Sequence, residues 1–165
     1  MKTLLLLRHA KSSWGDSSLA DFDRPLAPRG LKDAPRMGRA LKAQGVVPDL
    51  IISSPAVRAK ETVEAVVAAA GLSVSPEFDQ NIYEASTAEL MKLVRSISDS
   101  KSCALLVGHN PGFENLLSRL TGDSESMPTA ALACMEFQID SWNNIEEGEG
   151  KLAWFLTPKT LDSGD

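Results

Sequence analysis

The sequence predicts an α/β fold with a mostly parallel central sheet flanked by helices. Two observations predict it. Short apolar runs at residues 4–7 (LLLL), 49–53 (DLIIS) and 103–107 (CALLV) lack the polar alternation of a strand with one wet face. Stretches of helical period separate them, and strands that alternate with helices build parallel sheets. The 165 residues suit one domain, expected over residues 1–158, with residues 159–165 as a frayed tail.

The elements follow in order. Residues 4–7 read as a central strand buried on both faces. Residues 11–27 are polar, with Gly15, Asp16, Ser17 and Ser18 as turn formers. A helix starts at Pro28, runs through Leu31, Ala34, Met37 and Leu41, and ends at Gly45, although Pro35 and Gly38 disfavour it. Residues 49–53 form the next strand. Ser54 and Pro55 then supply a cap and first turn for an alanine-rich helix over 56–70, closed by Gly71. Residues 87–98 are a further helix with Thr87 as its cap, and residues 103–107 a further buried strand. A helix over 113–120 follows. Residues 131–139 and 151–156 close the sheet as two strands, joined by a polar hairpin turn at 143–150 (NNIEEGEG).

Composition narrows the function. The chain carries a net charge of −5 with a pI near 5.1 and no basic stripe, which argues against nucleic-acid partners. The early apolar run stops at Arg8 and His9, too short for a signal-peptide core or a membrane span. Two cysteines make no disulfide framework and fit a reducing compartment. A cytoplasmic location is expected, with no membrane partner.

The chain has two histidines, and each follows directly after an apolar strand: His9 after residues 4–7, His109 after residues 103–107. Ligand sites in open parallel sheets gather beyond the carboxyl ends of the strands. Arg8 precedes His9, Arg58 opens the helix after the second strand, and Arg24 lies in the first loop. Guanidinium groups bind phosphate bidentately, so several of them beside two histidines suggest a pocket for a phosphoryl group. The competing reading is a set of surface ion pairs. A zinc site is disfavoured because the arginines would repel the cation. No G-x-x-x-x-G-K-[ST], G-x-G-x-x-G or G-x-S-x-G occurs, and Cys103 and Cys134 read as packing residues. No cofactor is expected.

Three segments carry a resemblance. Residues 6–10 (LLRHA), residues 53–62 (SSPAVRAKET) and residues 107–111 (VGHNP) resemble, in order, the three motifs of the histidine phosphatase superfamily. Residues 8–14 (RHAKSSW) and 21–30 (DFDRPLAPRG) are similar to the small SixA-type phosphohistidine phosphatases. Ala10 stands where glycine is the superfamily norm, as in the SixA-like variant. The resemblance implies a three-layer, phosphoglycerate mutase-like sandwich. It implies His9 as nucleophile, its imidazole kept neutral by neighbouring arginines. Arg8 and Arg58 match phosphate-binding arginines, and His109 the second pocket histidine. Arg24, in the D-x-x-R-P-L position, is expected to contact phosphate or orient the substrate. Glu84 is the first candidate for a general acid, ahead of Asp16, Asp21 and Asp23; Ser12 and Ser13 are minor candidates as hydrogen-bond donors.

The expected activity is removal of a phosphoryl group through a phosphohistidine intermediate, from phosphohistidine on a protein such as a histidine phosphotransfer domain. Short connections leave little chain for a lid, which suits a protein-borne substrate. The alternatives are a phosphatase or mutase for small phosphate esters, and a non-enzymatic phospho-binding module.

Overall fold

The computed structural model describes residues 1–163. Six strands form one sheet: β1 (Lys2–Arg8), β2 (Leu50–Ser53), β3 (Glu77–Phe78), β4 (Cys103–Gly108), β5 (Leu132–Phe137) and β6 (Lys151–Leu156). Their order is β3-β2-β4-β1-β5-β6. The first four are parallel, whereas β5 runs against β1 and β6 against β5. β1 therefore lies inside the sheet, as its unbroken leucine run requires. β3 has two residues and no apolar run to announce it.

Alternate side chains of β1 enter two separate cores. Leu4 and Leu6 pack on one face with Leu106, Phe113, Leu117 and Trp142. Leu5 and Leu7 pack on the other with Met37, Leu41, Val63 and Val66. The first core is covered by α3 (Thr87–Arg95) and α4 (Gly112–Thr121), the second by α1 (Pro28–Ala43) and α2 (Val57–Ala70). The outcome is the three-layer sandwich.

Two signals against α1 have local answers. Pro28 sits in its first turn, where its missing N–H costs nothing, and Pro35 is accommodated inside the helix. Gly38 lets α1 approach α2 closely, since a Cβ there would lie 2.8 Å from the Val66 carbonyl oxygen. Gly71 closes α2 in the left-handed conformation, with φ of 66°.

Four expectations are corrected. Ala56, not Ser54, is the N-cap of α2, while the Ser54 hydroxyl accepts the Ala56 N–H at 3.2 Å and contacts His109. Ser86, one residue before Thr87, caps α3 in a reciprocal pair with Glu89. Residues 143–150 are no tight hairpin turn: a short 3-10 helix at Trp142–Asn144 begins a long connection that buries Trp142 and Ile145 completely. The indole N–H of Trp142 donates to the Lys101 carbonyl at 2.7 Å, so a hydrophobic anchor lies just upstream of the polar stretch. Finally, Pro158–Ser163 form helix α5 where a frayed tail was expected, held by Arg36 on α1 through the Pro158 carbonyl and Asp162. Residues 164 and 165 of that tail lie outside the described residues. No helix among the described residues is long and apolar enough to cross a membrane.

Leu6→Ala removes a side chain that is fully buried at the sheet centre. Urea unfolding should register a loss of about 3 kcal/mol, within the usual 2–5 for such truncations.

Candidate active site

Strand register brings the two histidines together. Arg8 on β1 pairs with Gly108 on β4, so the next residue on each strand is a histidine. The His9 N–H donates to the Gly108 carbonyl at 2.9 Å, and the two imidazole centroids are 5.2 Å apart. On the far side of β4, Ser53 pairs with Val107, which delivers Ser54 and the start of α2 to the same edge. Arg58 sits in the first turn of that helix.

His9 is buried, and its Nδ1 lies 2.7 Å from the carbonyl oxygen of Ala10. A carbonyl can only accept, so Nδ1 carries the hydrogen. Burial, with further contributions from His109, Arg58 and Arg8, pushes the His9 pKa down to about 3. The ring is therefore neutral near pH 7, with its lone pair on Nε2. Thr62 braces the backbone of the same residue: its Oγ1 accepts the Ala10 N–H at 3.0 Å and donates to the Arg58 carbonyl at 2.7 Å. One hydroxyl thus ties the exit of β1 to the helix bearing Arg58.

His109 is also lowered, to about 4, chiefly by burial and then by Arg58. Its Nε2 contacts the Ser54 hydroxyl at 2.7 Å. Arg8 reaches across to the Met127 carbonyl at 3.0 Å. Among the described residues, the fully buried side-chain nitrogens without a hydrogen-bond partner are Arg8 Nε, Arg58 Nε and His109 Nδ1. All three belong to this cluster. Unmet buried polar atoms are costly, and such atoms in a native site call for a partner.

Asp21 is the hub of the remaining contacts. Its Oδ2 accepts from Arg58 at 3.0 Å and from the Tyr83 hydroxyl at 2.6 Å. Its Oδ1 accepts from Arg24 Nε and Nη2 at 3.2 and 3.0 Å, and its backbone carbonyl from Arg58 Nη1 at 2.7 Å. The Tyr83 bond, then Arg24 and Arg58, hold the carboxyl down at about 2, while Tyr83 is raised to about 12 by burial and by Asp21. Held that low, Asp21 is an anion near pH 7, which suits an ion-pair hub better than a proton donor to a leaving group. Tyr83 also sets its ring edge-on to His109, with centroids 5.5 Å apart.

Arg24 is spent within this network. Besides its bonds to Asp21, its Nη1 donates to Ser12 Oγ at 2.8 Å, and its guanidinium stacks on Trp14 at 3.6 Å. Glu84 is exposed beside Tyr83, in the left-handed region with φ of 56°, a strained conformation for a residue with a side chain. It borders a cavity of about 380 Å³ together with His109, Ala85 and Pro111. Ser13 and Asp16 bond within their own loop, where Ser13 Oγ accepts the Gly15 N–H and Asp16 Oδ1 the Ser18 N–H. A larger cavity of about 460 Å³, between Arg29, Arg36, Thr129 and Pro158, contains none of the clustered residues; ion pairs of Asp33 and Asp162 with Arg36 knit its walls. No group of three or more His, Cys, Asp or Glu side chains fit for a metal occurs among the described residues.

Tyr83 and Thr62 are the residues that sequence reasoning passed over as parts of the site, and Asp21 was weighed there only as an acid. Thr62 lies within the SSPAVRAKET segment, but it meets Ala10 across 52 residues, and Tyr83 meets Asp21 across 62.

Both histidines are less basic folded than in the unfolded chain, where 6.5 is the ordinary value. The unfolded chain then binds more protons as pH drops, so folding stability falls with pH. This contribution is fully present above pH 6.5 and is lost progressively as pH falls through about 4 and about 3. Between pH 6.5 and about 3 the unfolding midpoint of the wild type should fall further than that of His9→Asn, and imidazole NMR should find both rings neutral at pH 6.

The family described as "Histidine phosphatase superfamily (branch 1)" matches residues 4–101. The chain is 34% identical over 164 residues to an uncharacterized chloroplastic protein of Arabidopsis thaliana, covering 94% of this chain and 75% of that one. A SixA structure from Agrobacterium tumefaciens superposes with a TM-score of 0.83 at 27% identity, over 95% of this chain and 98% of its own. The protein histidine phosphatase SixA complexed with tungstate shares the fold, with a TM-score of 0.78 at 24% identity over 96% and 99% of the two chains. With its motifs in order and its histidines and arginines gathered at one sheet edge, the chain belongs to the histidine phosphatase superfamily.

Proposed function

We propose that this protein is a phosphatase that moves a phosphoryl group onto His9 and then to water, and that its substrate is phosphohistidine on a protein. The observation that carries this reading is the bond from His9 Nδ1 to the Ala10 carbonyl. It leaves Nε2 with the lone pair that a nucleophile needs, in a ring that burial keeps neutral.

In the first step, Nε2 of His9 bonds to phosphorus while the bond from phosphorus to the leaving nitrogen breaks. The leaving imidazole takes a proton from solvent. In the second step, water attacks the phosphoryl-His9, the P–Nε2 bond breaks, and inorganic phosphate departs. Arg8 and Arg58 supply donors to the equatorial oxygens, where charge collects in a loose transition state. Ser54 Oγ at 2.7 Å from His109 Nε2 orients the ring, and in the tautomer whose Nε2 accepts from that hydroxyl, Nδ1 carries the hydrogen and offers a further donor. Asp21 aims Arg58 through two contacts, and Arg24 holds Asp21 from the other side. Arg24 thereby acts as a positioning residue and not as a direct phosphate ligand.

Glu84 divides the substrate readings. An alkoxide leaving group needs a proton, which a carboxyl group at the pocket rim could supply. The P–N bond of phosphohistidine makes no such demand. The relationship to a SixA protein histidine phosphatase in fold supports the phosphohistidine reading, as do the short connections around the site. The cavity shared by Glu84 and His109 favours a second reading, hydrolysis of small phosphate esters. Phosphoprotein and free phosphate are the partners under the first reading. We also propose a cytoplasmic location, on the strength of two free cysteines that fit a reducing compartment.

Phosphate release from a phosphohistidine protein and from an aryl phosphate separates these readings. His9→Ala should lose about 10⁴-fold or more on every accepted substrate. Arg58→Ala should lose about 10²–10³-fold. Glu84→Gln should stay within about twofold on phosphohistidine. A preference for the ester, lost in Glu84→Gln, selects the small-ester reading. Phosphate binding without turnover selects the binding module.

A further inference from the structure

We propose that Trp14 is a docking contact for the protein that carries the phosphohistidine, and that it sets the preference for a protein substrate over a small phosphate. This rests on the phosphohistidine reading above. Trp14 is 72% exposed, an unusual position for the largest apolar side chain. A lone exposed hydrophobic residue would mean little, but this ring is not loose. One of its faces lies on the Arg24 guanidinium at 3.6 Å. Arg24 is itself buried and held by Asp21 and Ser12. The indole is thus fixed by a cation–π stack while its remaining surface meets solvent.

The ring is continuous with the site. Asp21, which holds Arg24, also holds Arg58. On the other side of Asp21, Phe22 stands edge-on to Tyr83 at 5.1 Å, and Tyr83 edge-on to His109. The first loop thus carries Trp14 on Arg24 and Phe22 on Tyr83, each one residue removed from the clustered site, and Leu19, 38% exposed in the same loop, is a second apolar group. Neither Trp14 nor Leu19 is needed to grip a phosphoryl group.

The chemistry of the ring selects its occupant. Inorganic phosphate and small esters can reach His9 and the arginines without gaining from an indole beyond Arg24. A folded domain phosphorylated on histidine brings neighbouring side chains with it, and an aliphatic one beside the phosphorylated residue would cover the ring. An indole held in place loses little freedom on binding, and tryptophan is enriched among residues that dominate protein interfaces.

The test compares wild type, Trp14→Ala and Trp14→Phe on two substrates: a histidine phosphotransfer domain phosphorylated with phosphoramidate, and p-nitrophenyl phosphate. Trp14→Ala should raise KM for the phosphorylated domain about tenfold, with kcat held within about twofold. Its kcat/KM on the aryl phosphate should stay within about twofold, and Trp14→Phe should recover most of the loss. Equal losses on both substrates would assign the ring to support of Arg24 and overturn docking. An unchanged KM for the phosphorylated domain would also overturn it. A change in sedimentation of the protein alone in Trp14→Ala would assign the ring to self-association and refute the proposal. A wild type that spares the phosphorylated domain but hydrolyses the aryl phosphate would refute the phosphohistidine reading itself, and this docking role with it.

Discussion

In the middle of the sheet, Arg8 lies opposite Gly108, and the residue that follows each of them is a histidine. The rest of the site depends on this parallel register. A slip by one residue would turn the leucines of β1 to the wrong cores and separate the two imidazoles. The register is pinned from both faces, because Leu4 and Leu6 serve one core while Leu5 and Leu7 serve the other. The core and the site are therefore specified by the same few residues. Hydrophobic burial in the strand becomes a positional constraint of atomic scale at its end.

Electrostatics then divides labour among the polar groups. The protein is acidic overall, yet it concentrates Arg8, Arg24 and Arg58 around two buried histidines. Burying cations is costly unless they are paired. Asp21 pairs with Arg24 and Arg58, and its backbone carbonyl takes a further bond from Arg58. Arg8 has the Met127 carbonyl but leaves its Nε unmet. The same environment that lowers the histidines favours an incoming anion. Thr62 adds the link between the two halves, since it holds the N–H of Ala10, the residue whose carbonyl selects the His9 tautomer.

Much of this was legible in the sequence, for local reasons. Unbroken apolar runs marked β1, β2 and β4, and chemistry at strand ends falls where parallel sheets bind ligands. His9, Arg8, Arg58 and His109 could be singled out because each sits one to five residues beyond a readable strand. Asp21 could not be placed, because its meaning comes from Arg24, Arg58 and Tyr83, and two of these are 37 and 62 residues away. Arg24 looked like a phosphate ligand in sequence, while in space its donors go to Asp21 and Ser12. The cap of α3 moved from Thr87 to Ser86, a choice that a reciprocal bond with Glu89 decides. Trp142 lies one residue before a run of polar residues, so the connection read as a turn although it anchors a core.

The central claim is that the phosphoryl group rests on Nε2 of His9 between the two steps. Rapid quench into alkali after mixing with a phosphohistidine protein, followed by peptide mass spectrometry and ³¹P NMR, measures it directly. The account predicts an acid-labile phosphoryl group on the peptide that contains His9, attached at Nε2, forming and decaying at rates compatible with turnover. An active enzyme that carries phosphate on His109, or on no residue during turnover, would contradict it.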